Sequence, residues 1–167
     1  MKLKLVIFVM ALAAMGPGRS DAPPDSTGLN VQSAPEPTPP PTAPVVELPM
    51  RAADDAAPGD FLWQSRPLVV FADTPNDPAF VEQMRMLRGQ PGALVERDVV
   101  VIADSDPGMG SDWRDMLHPR GFSLVLIDKD GQIKLRKPFP WSVREISRAI
   151  DKFPLRRQEI GRADLGE

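Results

Sequence analysis

Between Pro67 and Phe153 the apolar positions follow two periods, one suited to strands and one to helices. Pro67 to Ala72 (PLVVFA) is an unbroken apolar run and predicts a buried strand. The turn-rich stretch Asp73–Pro78 follows. Asp77 is placed to cap a helix whose first residue is Pro78. That helix carries Phe80, Val81, Met84 and Leu87 on one side and ends near Gly89. A second strand is predicted from Asp98 to Ala103, and a short helix from Ser111 to Leu117 with Trp113, Met116 and Leu117 inward. Phe122 to Asp128 reads as a third strand. The turn Lys129-Asp130-Gly131 folds it back on a short fourth, Gln132 to Arg136. Ser142 caps a last helix with Val143, Ile146, Ile150 and Phe153 on one face. The predicted order is β-α-β-α-β-β-α. Strands joined by a helix run parallel with a right-handed crossover, and the Asp-Gly turn makes the last pair antiparallel. The expected fold class is therefore α/β, a mixed four-stranded sheet with helices on both faces.

The first 60 residues lack both periods. Lys2 and Lys4 precede the apolar run Leu5–Met15, and small residues follow up to Ser20. This is the layout of a cleavable signal peptide, expected at residues 1–20. The run is about half the ~20 residues that a membrane span requires. With no cysteine after it, lipid attachment at that site is excluded. Residues 21–60 are rich in Pro, Ala, Asp and Thr, and Ala34–Pro44 (APEPTPPPTAP) has a proline at nearly every second position. Proline blocks helix and sheet ladders, so a disordered or polyproline II tether is expected there. The domain is expected at residues 61–162, with a flexible tail at 163–167. The expected location is the periplasm or the medium, with no stable membrane span after signal cleavage.

Composition narrows the chemistry. The chain has 167 residues, no cysteine and one histidine. Thiol catalysis, disulfides, iron–sulfur clusters and zinc–thiolate sites are excluded, as is a metal site built from several histidines of one chain. The net charge is −3, and from Phe61 onward acidic and basic residues balance. A neutral domain behind an acidic segment argues against nucleic acid as a partner.

The predicted order is that of the thioredoxin-like three-layer sandwich. The segments RPLVVFA, ERDVVVIAD, GFSLVLIDKDGQIKLR and AIDKFPLRRQEI together resemble an uncharacterised bacterial domain-of-unknown-function family, one related to the peroxiredoxin-like DUDES domains of some animal extracellular matrix proteins. The likeness covers about Phe61 to Arg162, and Leu126–Arg136 with Asp151–Glu159 are its most specific pieces. The resemblance implies a thioredoxin-like fold and no established activity. In thioredoxins the redox motif opens the first helix. Asn76, Asp77, Pro78 and Ala79 hold that place here, and Ser123 matches the position of the cis-proline. A cis bond before a non-proline residue costs ~3 kcal/mol. Disulfide exchange and thiol peroxidation are therefore not expected.

Ligands of open α/β sheets favour the loops after the carboxyl ends of parallel strands. Those loops carry Asp73, Asp77, Asp104 and Asp106. Four converging carboxylates could hold calcium or magnesium, or supply an acid–base pair. Against this, Asp77 has a capping role, Asp104 and Asp106 are ordinary turn residues, and the spacing is not that of an EF-hand. Gly108 and Gly110 before Ser111 could offer amides to an anion, although no P-loop lysine accompanies them. His118, at a helix end, suits the helix dipole. Lys134, Arg136, Lys137, Lys152, Arg156 and Arg157 could form a basic patch, or pair locally with carboxylates such as Asp151 and Glu159. Trp63, Trp113 and Trp141 are expected in the core or at its rim. No catalytic residue, metal or cofactor is assigned. The expected role is non-catalytic binding of an envelope protein or extracellular polymer. The alternative is an enzyme or divalent-cation-dependent protein using the four aspartates.

Overall fold

The computed structural model describes residues 46–163 together with 165 and 166. The expected signal peptide and most of the expected tether lie outside these residues. A five-stranded mixed sheet forms the middle layer: β1 (Met50–Ala52), β2 (Arg66–Phe71), β3 (Val99–Asp104), β4 (Ser123–Ile127) and β5 (Ile133–Lys137). Its order is β1-β3-β2-β4-β5. β1, β3 and β2 are mutually parallel, while β4 runs antiparallel to both β2 and β5. The helices are α1 (Pro78–Gly89), α2 (Gly92–Val95), α3 (Asp112–Leu117), α4 (Val143–Ile150) and α5 (Pro154–Ala163). The fold is the thioredoxin-like mixed α/β sandwich.

Burial on both faces explains why the central strands read as unbroken apolar runs. Leu68 and Val70 of β2, Val101 of β3, and Leu124 and Leu126 of β4 point into one core. There they meet Met84 and Leu87 of α1, Leu94 of α2, and Val143, Ile146 and Ile150 of α4. The intervening residues Val69, Phe71, Val100, Ile102, Val125 and Ile127 point into the second core. This one is closed by Trp113 and Leu117 of α3 and by Ala53, Ala56 and Phe61. Gly131 closes the β4–β5 turn at φ 78°, a left-handed conformation that favours glycine. Leu62 also packs so closely there that a Cβ would come within 3.0 Å of its Cδ2.

Three expectations are corrected. The sheet has five strands rather than four. The extra strand β1 lies in the stretch assigned to the tether, and Leu48, Ala53 and Ala56 near it are buried. β1 is three residues long with two of them exposed, too short to show a period. Two helices, α2 and α5, are added to the expected order. α2 is a single turn, and α5 has no buried residue and no apolar stripe. Trp63, expected in the core or at its rim, is 70% exposed and stands at φ 63°. Trp113 is the fully buried tryptophan, and its indole N–H donates to the Ala56 carbonyl at 2.6 Å.

Removal of residues 1–60 takes away β1, buried Leu48 and the acceptor for Trp113. It is expected to lower stability by about 3 kcal/mol relative to removal of residues 1–45. Urea unfolding checks this, and equal midpoints would contradict the role of the segment.

Candidate functional site

The two ends of the sheet are built differently. At one end lie the start of β2, the approach to β3 and the β4–β5 turn. Arg66, the first residue of β2, is completely buried there. A buried guanidinium is tolerated only when paired and hydrogen-bonded. Its Nε donates to Asp128 Oδ1 at 2.8 Å and its Nη1 to the Arg97 carbonyl at 3.0 Å. Its Nη2 donates to both Glu159 oxygens, each at 3.0 Å. Lys129 Nζ lies 3.0 Å from Glu159 Oε1 and 2.8 Å from Asp98 Oδ2. Arg156 Nη1 reaches Glu159 Oε2 at 3.4 Å. Beside this group, Arg97 forks onto Asp151 at 2.8 and 3.0 Å. Burial would raise the Glu159 carboxyl, but hydrogen bonds from Lys129 and Arg66 outweigh it and hold it below the ordinary glutamate range. The Arg97 hydrogen bonds likewise hold Asp151 low, against the opposing effect of burial.

At the other end are the loops after β2, β3 and β5 and the start of β4. Three of the four loop aspartates are engaged separately. Asp77 caps α1, its Oδ1 accepting from the amides of Ala79 at 2.8 Å and Phe80 at 3.2 Å. Asp106 accepts from the Gly108 amide at 2.8 Å. Asp104 is buried and takes Ser111 Oγ at 2.6 Å and Arg114 Nε at 2.8 Å. Arg114 also donates to the Ala72 carbonyl at 2.7 Å and stacks 5.5 Å over the Phe71 ring. Asp73 is exposed near Gly121. Among the described residues, no group of three or more His, Cys, Asp or Glu side chains is placed to hold a metal ion. Asn76 and Pro78 are exposed, Ala79 is half-buried, and Ser123 is buried opposite Phe71 in the β2–β4 pair. His118 caps the C-terminus of α3 in the left-handed conformation, its Nδ1 3.2 Å from the Arg114 carbonyl.

The basic residues do not gather into one patch. Arg136 donates to the Leu117 carbonyl at 2.8 Å, and Lys134 pairs with Asp130 at 3.3 Å. Arg156 belongs to the Glu159 cluster, and Arg157 is exposed on α5.

Pattern reading missed one arrangement at this end. Gln83 lies on the inner face of α1 and is completely buried. Its amide donates to the Trp141 carbonyl at 3.0 Å and accepts from the Trp141 N–H at 2.7 Å. This two-point clamp fixes the loop between β5 and α4. Ser142 secures its far side, forming a capping box with Glu145. The loop presents Phe139, 53% exposed between Pro138 and Pro140, and Trp141 with the Lys137 ammonium 4.5 Å above its ring. The available signal was Gln83 itself, a polar residue at helical spacing from Phe80 and Leu87.

Residues 59–159 match the family model described as a domain of unknown function, DUF4174. Among solved structures, the chain is similar to a reduced 2-Cys peroxiredoxin of Plasmodium vivax. The identity is 17%, the TM-score 0.49, and the match covers 60% of this chain and 83% of that one. It is similar to a chloroplastic thioredoxin z at 17% identity and TM-score 0.49, covering 65% and 95%. It is also similar to thioredoxin peroxidase I of Plasmodium yoelii at 22% identity and TM-score 0.43, covering 60% and 78%.

The lowered carboxyls fix the sign of one pH effect. A carboxyl held low in the folded state stabilises above its unfolded value, and that contribution is lost as pH falls through the folded one. Stability is therefore expected to fall as pH drops from about 4.5, the ordinary glutamate value. Glu159→Gln is expected to cost about 2 kcal/mol at pH 7 and to flatten the acid limb. Urea unfolding between pH 7 and pH 3 measures both; an unchanged acid limb in the variant would contradict the assignment.

Proposed function

This chain belongs to the DUF4174 family, a domain of unknown function, and we propose that it is an exported, non-catalytic binding module for an envelope protein or extracellular polymer. Export to the periplasm or the medium is supported by Lys2, Lys4 and the apolar run Leu5–Met15 ahead of a proline-rich stretch. Kinship with bacterial members and with the DUDES domains belongs to the same reading, on the four segments quoted above.

The observation that carries the binding role is the clamped loop Lys137–Ser142. An exposed aromatic on a mobile loop would lose much side-chain and backbone freedom on binding, and that loss weakens affinity. Here the two prolines, the Gln83 clamp and the Ser142 cap remove that freedom in advance. Aromatic side chains at protein interfaces commonly act as anchors, and Phe139 and Trp141 with Lys137 offer an apolar surface edged by one positive charge. Catalysis of the thioredoxin kind has no means here. A helix N-terminus activates a thiolate through its free amides and its dipole, but Asp77 occupies those amides at α1 and the chain has no cysteine.

The full chain, immobilised and exposed to an envelope extract, is expected to retain a discrete partner. Phe139→Asp should reduce that retention at least about tenfold, the effect of losing an interface anchor. Val81→Asp, at an equally exposed apolar site on α1, should leave it unchanged. Equal retention by both variants, or no retained species, would overturn the assignment. Retention abolished by a chelator would return the carboxylate loops as the site.

A further inference from the structure

α5 is joined to the domain differently from the other helices. It contributes no side chain to either core, and none of its residues is buried. Among the described residues, its side-chain hydrogen bonds and ion pairs to other elements all run through Glu159. Arg66 Nη2 and Lys129 Nζ hold that carboxylate from outside the helix, and Arg156 supports it from within. Closure also carries a cost. Arg156 Nε is buried and donates to no acceptor of the protein.

The chain just before α5 is fixed independently. Asp151, at the end of α4, is forked by Arg97, and Phe153 packs against the core beneath α4. Pro154 then opens α5, and it has no N–H to carry the α4 hydrogen-bond ladder across the junction. One side of Phe153–Pro154 is thus held by packing and the Arg97 fork, the other by Glu159. Opening there leaves Arg66 its bonds to Asp128 and to the Arg97 carbonyl, and water can reach Nη2 in place of Glu159.

Charge balance sets what opens it. Three cations, Arg66, Lys129 and Arg156, meet three carboxylates. These are Asp98 from the approach to β3, Asp128 from the end of β4, and Glu159 of α5. Glu159 is partly exposed, so a proton can reach it. Its protonation leaves three cations against two carboxylates and removes the acceptor that fastens the helix. The Arg97–Asp151 pair stays on the fixed side of the junction.

We propose that α5 is an acid-released strap, hinged at Phe153–Pro154 and latched by Glu159, which opens as one unit while the two cores stay folded. Burial would raise the Glu159 carboxyl, but Lys129 and Arg66 hold it low. The latch is therefore closed above the ordinary glutamate value and released as pH falls below it. The strap lies at the end of the sheet away from the Phe139 loop, and either assignment can fail without the other.

Amide hydrogen exchange of the full chain, followed residue by residue, tests this. At pH 6 the amides of Gln158–Arg162 are expected to share one protection factor, at least about tenfold below those of β2, β3 and β4. They should also respond more weakly to low urea, the mark of a sub-global opening. Lowering the pH to 3.5 should reduce α5 protection at least about tenfold, the effect of losing a hydrogen bond to a charged group. Glu159→Gln should show the reduced value already at pH 6 and change little with acid. Equal protection and equal urea response in α5 and the sheet would overturn the strap. An acid response that is absent from the natural chain, or that survives in Glu159→Gln, would overturn the latch.

Discussion

The rest of the structure depends on a cation that has no access to water. Arg66 opens the central strand, and every part of its guanidinium is enclosed. An ion there is expensive unless its partners are held in place, and those partners come from three other parts of the chain. Asp128 comes from the end of β4, the Arg97 carbonyl from the approach to β3, and Glu159 from α5. Satisfying Arg66 therefore brings the β4–β5 turn, the β3 approach and the last helix together at one end of the sheet. α5 has no buried apolar residue, and Glu159 is among its main attachments. Apolar packing holds the two cores, while charge pairing fixes this end.

This division bears on how the domain works. Arg66, Arg97, Asp98, Asp128, Lys129, Asp151 and Glu159 all lie within the four segments that carry the family likeness. Their geometry shows them engaged with one another and available for little else. The opposite end is the one where we propose that binding occurs. Asp77 closes the α1 N-terminus, Asp104 and Arg114 seal the ends of β2 and β3, and Gln83 holds the aromatic loop. The binding role we propose for this end rests on that fixed frame and on shape and apolar contact.

Much of the fold was legible in the sequence, for identifiable reasons. β2, β3 and β4 showed themselves because burial on both faces forces continuous apolar runs. α1 and α4 showed themselves through a cap followed by an apolar face, at Asp77 and at Ser142. β1 escaped because a three-residue edge strand has no period, and its parallel pairing with β3 comes from distant sequence. α5 escaped because charge attaches it where an apolar stripe usually would. The site was less legible. Turn chemistry pointed to Asp77 as a helix cap and to Asp106 as a turn residue, and each accepts from a nearby backbone amide. Nothing local could tell that Asp104 would bury against Arg114, that Gln83 would clamp Trp141, or that Arg66 would reach Glu159 across 93 positions. Each is a pairing of polar groups between different elements, and hydrophobic periodicity carries no record of it.

The most family-like residues act as architecture, coupled through Arg66. A double-mutant cycle on Arg66→Met and Glu159→Met, read by urea unfolding at pH 7, tests it most directly. A coupling energy above about 1 kcal/mol is expected, since both residues belong to one hydrogen-bonded network. Additive effects of the two substitutions would contradict it.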